Sequence, residues 1–446
     1  MTNISRRAVF KTGAILAMGA STMSANTSAR TSETLAAPTA ASPSTEYSYG
    51  HTTDFGDEYF ANILPILEKV RDNELAVIDE VSSRMADAVR SGKNVWMQAK
   101  QGHMGRFEFD MGNPGNPRLF QSNSEWDDTD YDKMKPGDVL VTNYINDNVM
   151  NARTSGVCVV GVTVSYQDTP AAPRGLINPN PHGWFLADVS DVVIDSHSPI
   201  EQGIVSCPQI PEMKICPSSA NPLAAIFWML TAEGANKFKN PSASGTVYAA
   251  EVIDTIIGRV RAAFPPQRDR IFAAADSVAA MIASGARYHV TSDHGGVAQE
   301  AAGVASGPMM TNAFRKEVKK GDVHLLATIE PDSPKILDEA QRARDVGQFV
   351  VSIGPANSAR LAALSDLFID NLSREGGGLL QIPGFPEKIA AVGGILNNVL
   401  MWIFTAQFVD FMTRRGFVPW FWMGYYLQGG KEYDDAVKPF FLRQGF

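Results

Sequence analysis

Residues 292–300 read SDHGGVAQE and bring Ser292, Asp293, His294 and Glu300 together around the glycine pair Gly295 and Gly296. A histidine beside a carboxylate suits general acid–base work, because imidazole titrates near neutrality and burial can raise a carboxyl group toward it. Glycines let the backbone approach a bound molecule closely. The chemistry this favours is moving a proton between adjacent carbons, with Glu300 as the base and His294 protonating or polarising the neighbouring oxygen. A second loop, QGHMGRFE at residues 101–108, offers His103, Arg106 and Glu108 for similar work. Both loops also admit a structural reading, in which the histidine caps a helix and the glutamate sits in a first helical turn where the dipole favours it.

The elements that must carry these loops are written twice. LADVSDVVIDSHSP ends at Pro199 and LAALSDLFIDNLSR ends at Arg374, and the match extends upstream in the same order. The helical stretch from Tyr59 is echoed from Tyr248, KPGDVLVTNY at Lys135 by KKGDVHLLAT at Lys319, and GVCVVGVTVS at Gly156 by GQFVVSIGPA at Gly347. The offset falls from 193 at Gly92/Gly285 to 184 at Gly137/Gly321 and 175 at Asp191/Asp366, so the first copy carries two insertions of about nine residues. Both insertions lie in turn-rich stretches, GNPGNPRLFQSNSEWDD and TPAAPRGLINPNPHG, as loops do. Strands such as DVLVT and VCVVGVTV are apolar almost throughout, which belongs to parallel sheets covered on both faces. The expected fold is α/β: two tandem three-layer α/β/α sandwiches with parallel sheets, related by a pseudo-two-fold axis as in a dimer whose chains have been joined.

The first residues say where such a protein works. SRRAVFK at residues 5–11 precedes the short apolar run TGAILAMGA, with no acid before Glu33. This is the pattern of an export signal, too short in its apolar part for the roughly 18 to 20 residues that span a bilayer. The adjacent Arg6 and Arg7 resemble a twin-arginine signal, which implies a periplasmic or extracellular location and the Tat translocase as a partner during export. The expected division is a signal peptide at residues 1–29, a Ser/Thr/Ala/Pro-rich disordered linker at 30–54, domains at 55–240 and 241–415, and an aromatic tail at 416–446. The formal charge is −9, and loss of Arg6, Arg7 and Lys11 with the signal makes it more negative. That argues against nucleic acid and anionic membranes as partners.

The order strand, QGHMGRFE or SDHGGVAQE loop, helix, GDVLV strand, polar loop, VVGVT strand, then ADVSDVVID and a long apolar helix resembles the SIS (sugar isomerase) domain, over roughly residues 57–239 and 247–415. The resemblance implies a flavodoxin-like sandwich of five parallel strands that binds sugars or sugar phosphates at the carboxyl ends of its strands, where ligands of open α/β sheets sit. The second copy keeps more of the family's first loop, which makes Glu300 and His294 the preferred catalytic pair. Family members that bind sugar phosphates carry a Ser/Thr/Gly-rich loop after the second strand. Here those positions read NYINDN (143–148) and TIEPDS (328–333), and Asp147, Glu330 and Asp332 would repel a dianion. Asn143, Asn146, Thr328, Asp332 and Ser333 instead suit the hydroxyls of an unphosphorylated sugar, alongside Ser292, Asp293, Gly295, Gly296, His103 and Glu108.

The seven histidines show no two-histidine helical spacing, so neither a metal nor another cofactor is expected. Cys207 and Cys216 bracket PQIPEMKI; they suit either buried packing or, after export, a disulfide across a hairpin, whereas Cys158 belongs to a buried strand. The apolar run Ala390 to Met412 is interrupted by Asn397, Asn398, Gln407 and Asp410 and reads as a core or interface helix. The tail GFVPWFWMGYYLQGG covers a cleft, offers aromatic faces to a sugar, or enters a homodimer contact. Two functions remain: an exported isomerase acting on an unphosphorylated sugar or amino sugar, and a sugar-binding protein without catalysis.

Overall fold

In the computed structural model, which describes residues 53–99, 111–122, 128–164, 184–199, 202–294, 296–311, 317–424 and 429–446, two parallel sheets face each other across a shared layer of helices. The expected signal peptide and residues 30–52 of the expected linker lie outside the described residues, whereas Asp54, expected at the end of the linker, is part of the folded unit. The first sheet has the order β2-β1-β3-β4-β5: β1 (Val95–Gln98), β2 (Gln121–Ser122), β3 (Val139–Thr142), β4 (Cys158–Thr163) and β5 (Val192–Asp195). The second runs β11-β10-β9-β8: β8 (Tyr288–Ser292), β9 (Val323–Ala327), β10 (Phe349–Gly354) and β11 (Leu367–Asp370). Corresponding strands therefore follow one another in the same spatial order. Where the first sheet has β2 beside β1, the second has a single parallel bridge from Thr311 to Tyr288.

Alternation along these strands explains their double burial. In the first sheet Val95, Met97, Val139, Val141, Val160 and Val162 point inward to the main core, while Trp96, Leu140 and Val159 point outward. The outer face is closed by α3 (Asp147–Thr154) and α4 (Leu186–Val189) through Val149, Ala152, Leu186 and Val189. In the second sheet Leu326 and Val350 face α9 (Pro334–Val346) and α10 (Ala359–Leu364), through Ile336, Leu337, Ala340 and Leu361. Each sheet is thus covered on both faces, as its apolar sequence demands.

The inner layer comprises α1 (Phe55–Asn73), α2 (Leu75–Arg90), α5 (Ala220–Lys239), α6 (Val247–Ala263), α7 (Arg268–Ala283) and α11 (Gly393–Arg414). Its helices belong to both halves and feed one continuous core. The first described helix packs on the last inner one, α1 against α11. Asp54 offers no side-chain cap to α1, and its orphan N–H groups are met by α11 instead: Gly56 donates to Gln407 Oε1 at 3.0 Å and Phe55 to Asp410 Oδ2 at 3.4 Å. Arg268 and Arg414 clamp the same end, both reaching Asp54, Arg268 also reaching Asp57 and Arg414 also Asp410.

Helix α11 alone among the described helices is long and apolar enough to cross a membrane, and it lies inside the molecule. Each polar residue that interrupts it has a partner. Asn397 accepts from Asn371 and donates to the Thr328 carbonyl, Asn398 donates to Asn221, and Gln407 and Asp410 serve α1. Buried amides that find partners only at one register specify how two helices meet.

The hairpin expected around the cysteines exists, as β6 (Gly203–Val205) antiparallel to β7 (Ile215–Pro217), but Cys207 and Cys216 are free thiols. The pairing of Val205 with Ile215 puts Cys216 opposite Ile204, out of step with Cys207, so a staple across the strands is not made. The aromatic tail packs on its own chain. Trp420 and Trp422 exchange backbone hydrogen bonds with residues 306–309, Phe421 is fully buried, and α12 (Gly430–Gln444) follows.

Candidate functional site

The carboxyl end of β8 turns sharply at Asp293, whose side chain folds back to hold the turn. Its Oδ1 accepts from the backbone N–H of His294 at 2.6 Å and of Ile329 at 3.3 Å, and its Oδ2 accepts from the Thr328 hydroxyl. Gly296 then takes a left-handed conformation (φ 61°) and starts the one-turn helix α8 (Val297–Ala301), whose Ala298 N–H is capped by Ser292 Oγ at 3.3 Å. Lys335, at the start of α9, donates to the Ser292 carbonyl at 2.9 Å. This lacing binds the ends of β8 and β9 into one unit.

His294 stands at its rim, its side chain one third exposed. Its Nδ1 lies 3.2 Å from Asn113 Oδ1, and its Nε2 lies 3.9 Å from Glu330 Oε2. Glu330 is itself only partly covered, and its backbone N–H is held by Thr328 Oγ1 at 3.1 Å. An imidazole whose one nitrogen is held by an amide oxygen while the other faces a carboxylate is equipped for proton transfer. Nearby, Arg259 of α6 donates to Ser373 Oγ at 3.3 Å and pairs with Glu375, whose carboxyl group it holds below the usual range against the opposing effect of burial. A narrow crevice lined by Ile329, Ser373, Glu375 and Gly393 runs there, its walls too close to admit a water molecule.

Glu300 is placed differently from the expectation. It lies on the inner face of α8, fully enclosed, where its charge bears on the phenol of Tyr59 in α1 rather than on an open cleft. The Tyr59 hydroxyl donates to the Pro217 carbonyl at 3.0 Å and accepts from Asn221 at 3.2 Å, and burial, foremost, pushes its pKa well up. Glu300 therefore belongs to the seam between the halves. The structure brings Asp293, His294 and Thr328 together and adds Glu330; among the described residues, Glu300 bears instead on Tyr59.

Other expected ligand groups hold local structure. Asp332, at φ 49°, accepts from the N–H groups of Arg360 and Leu361 and so caps α10. Ser333 is buried in the turn that starts α9, Asn146 caps α3 through the Val149 N–H at 3.0 Å, and Asn143 is fully enclosed. His103, Glu108 and Gly295 lie outside the described residues.

No family model matches the chain. Over 133 residues it is 23% identical to a UPF0309 protein of Shouchella clausii (strain KSM-K16), a match covering 27% of this chain and 54% of that one. The chain thus spans about half the length of the curated relative it matches. Among solved structures it is similar to the C-terminal domain of glucosamine-fructose-6-phosphate aminotransferase from Francisella tularensis, at 10% identity over 85% of this chain and 100% of that one, with a TM-score of 0.49. It is similar also to tagatose-6-phosphate ketose/aldose isomerase from Escherichia coli, at 13% identity over 84% and 96% of the two chains, with a TM-score of 0.45.

The first half holds a polar group that the spacing of residues did not reveal. After β5, His197 sits at φ 55°, its Nε2 2.9 Å from Glu74 Oε1 and its Nδ1 3.7 Å from Asp195 Oδ2. The bond to Glu74 outweighs burial and raises the imidazole pKa. Arg259, Asn113 and Glu330 likewise carry no local signal of a site, because each acquires its role from a partner distant in sequence or from the turn it joins.

Proposed function

We propose that this protein binds a sugar derivative at the carboxyl edge of its second sheet and moves a proton on it, as an isomerase does, with His294 and Glu330 as the acid–base pair. The observation that carries this reading is the placement of His294 at that edge, one ring nitrogen held by Asn113 and the other turned toward Glu330. The two halves are read as tandem copies of an SIS-type domain, and the chain as one exported through the twin-arginine pathway. An unphosphorylated substrate fits the acidic rim, because the partly exposed carboxylate of Glu330 beside His294 would repel a dianion and Asp293 is committed to the turn.

Binding without turnover is a second reading, favoured by the enclosure of Glu300, which removes the expected base from the cleft. Thermal-shift screening against neutral, amino and oxidised sugars and their phosphates, with each hit followed by NMR for turnover, separates the two. Turnover that is lost in His294→Gln supports catalysis. Binding with no conversion leaves the second reading, and sugar phosphates binding ten-fold more tightly than the parent sugars, about 1.4 kcal/mol, would overturn the unphosphorylated substrate.

A further inference from the structure

The segment Met111 to Phe120 belongs to the first half by sequence but is seated against the second. Gly115 accepts at its carbonyl from the Ala390 N–H at 3.0 Å, and at φ 77° it packs so tightly that a Cβ there would stand 2.6 Å from Ala391 N. Pro114 lies over Gly377, which borders the crevice beside Ser373 and Glu375. Next to it, Asn113 Oδ1 reaches His294 Nδ1 at 3.2 Å. The far end of the segment returns home, with Phe120 buried against Gly234 of α5.

We infer that Asn113 is a positioning residue for the second half's site: its amide oxygen holds the proton of His294 on Nδ1 and leaves Nε2 as the proton acceptor facing Glu330. This inference deepens the function proposed above and rests on His294 being the working base there. A neutral imidazole carries one N–H, and free histidine places it mostly on Nε2, so a ring that must accept a proton at Nε2 needs an acceptor at Nδ1. An amide oxygen supplies it without adding charge. A carboxylate in hydrogen-bond contact at Nδ1 would favour the imidazolium more strongly than Glu330 does across 3.9 Å at Nε2, beyond hydrogen-bond distance. Because Asn113 comes from the other half, the second site is complete only when the first half's insertion is docked on it.

The test is long-range nitrogen–proton NMR of the full chain with labelled histidine, the His294 signals assigned by their loss in His294→Gln. In the unaltered protein the Nδ1–H tautomer should predominate at pH 8, and Asn113→Ala should shift the population toward Nε2–H. Gly115→Ala should give the same shift by prising the segment away from Ala391. Asn113→Asp should raise the pH at which the ring titrates by about one unit or more. A predominant Nε2–H tautomer in the unaltered chain, or a titration indifferent to Asn113→Asp in a variant whose melting is normal, overturns the inference. Neither readout uses turnover. Tautomer shifts as expected with no sugar converted would therefore leave the positioning role standing and remove the isomerase reading, and unchanged tautomers with intact turnover would do the reverse.

Discussion

His197 and Leu372 occupy the same place in the two halves: each follows its strand in the left-handed conformation, at φ 55° and 59°, and each donates its backbone N–H at 2.8 Å to the aspartate two positions earlier, Asp195 and Asp370. The likeness continues behind them. Glu74 bonds the N–H of Asp195 as Gln267 bonds that of Asp370. The scaffold is common to both halves, and only the first adds an ionisable ring.

Leu372 shows that leucine is compatible with this turn, so His197→Leu is a clean probe of the ring. The folded pKa of His197 is raised, chiefly by Glu74, so its stabilising effect is fully present below about pH 6.5 and is lost as pH rises through the folded value. Urea unfolding should find His197→Leu less stable than the parent by roughly 1 kcal/mol at pH 5.5, with the gap closing toward pH 9. An equal gap at both ends would mean that packing, not the bond to Glu74, is what the ring contributes.

His324 should behave in the opposite sense. It is buried in β9 with Nε2 2.9 Å from Thr291 Oγ1, and burial first, then the neighbouring His289, drives its pKa down to about 4. The unfolded chain therefore binds more protons than the folded one between about pH 4 and 6.5, and stability falls as pH falls through that window. His324→Gln removes this loss, so its stability relative to the parent should improve on going from pH 8 to pH 5, by up to about 1.4 kcal/mol per pH unit. No pH-dependent difference would show that the ring protonates without leaving its place.

The two glutamates of the second half are separable. Glu330→Gln should lower turnover by about 10² to 10⁴ with little change in Tm, since Glu330 is partly exposed and faces His294. Glu300→Ala should instead cost about 2 kcal/mol or more of stability, because it empties an enclosed polar position, while Glu300→Gln keeps turnover. Lost turnover in a normally melting Glu300→Gln would return the base to Glu300.

The cysteines give a chemical test of the hairpin register. Cys207 and Cys216 are buried, and burial raises both thiols, Cys207 to about 11. Neither should react with a thiol reagent at pH 7.5 until the chain is unfolded, and then all three cysteines should titrate without added reductant. A single reactive thiol after unfolding would reveal a disulfide.

What was legible beforehand was whatever local pattern decides. The repeated strands announced two sheets because their inward and outward positions are both apolar, as Leu140 and Val141 illustrate, and α11 read as internal because its polar interruptions needed protein partners. The sites were less legible because they join distant residues. His294 and Asn113 are 181 positions apart, His197 and Glu74 are 123 apart, and no local period relates them. The enclosure of Glu300 was hidden for a different reason. Its helix is a single turn, and which face looks inward follows from the left-handed turn at Gly296 rather than from any amphipathic repeat.

The packing of α1 on α11 also sets a timetable. Gly56 leaves the ribosome early, yet the side chain that satisfies its N–H, Gln407, lies 351 residues later. Until α11 is made, the part of α1 that packs on it lacks its final cover, although α5, α6 and β6 already meet the rest of that face and Tyr59 has its partners Pro217 and Asn221. The nascent chain therefore carries a partly uncovered α1 until α11 is made, which favours association with holding chaperones. Truncation just before α11 would leave the part of α1 that α11 covers bare.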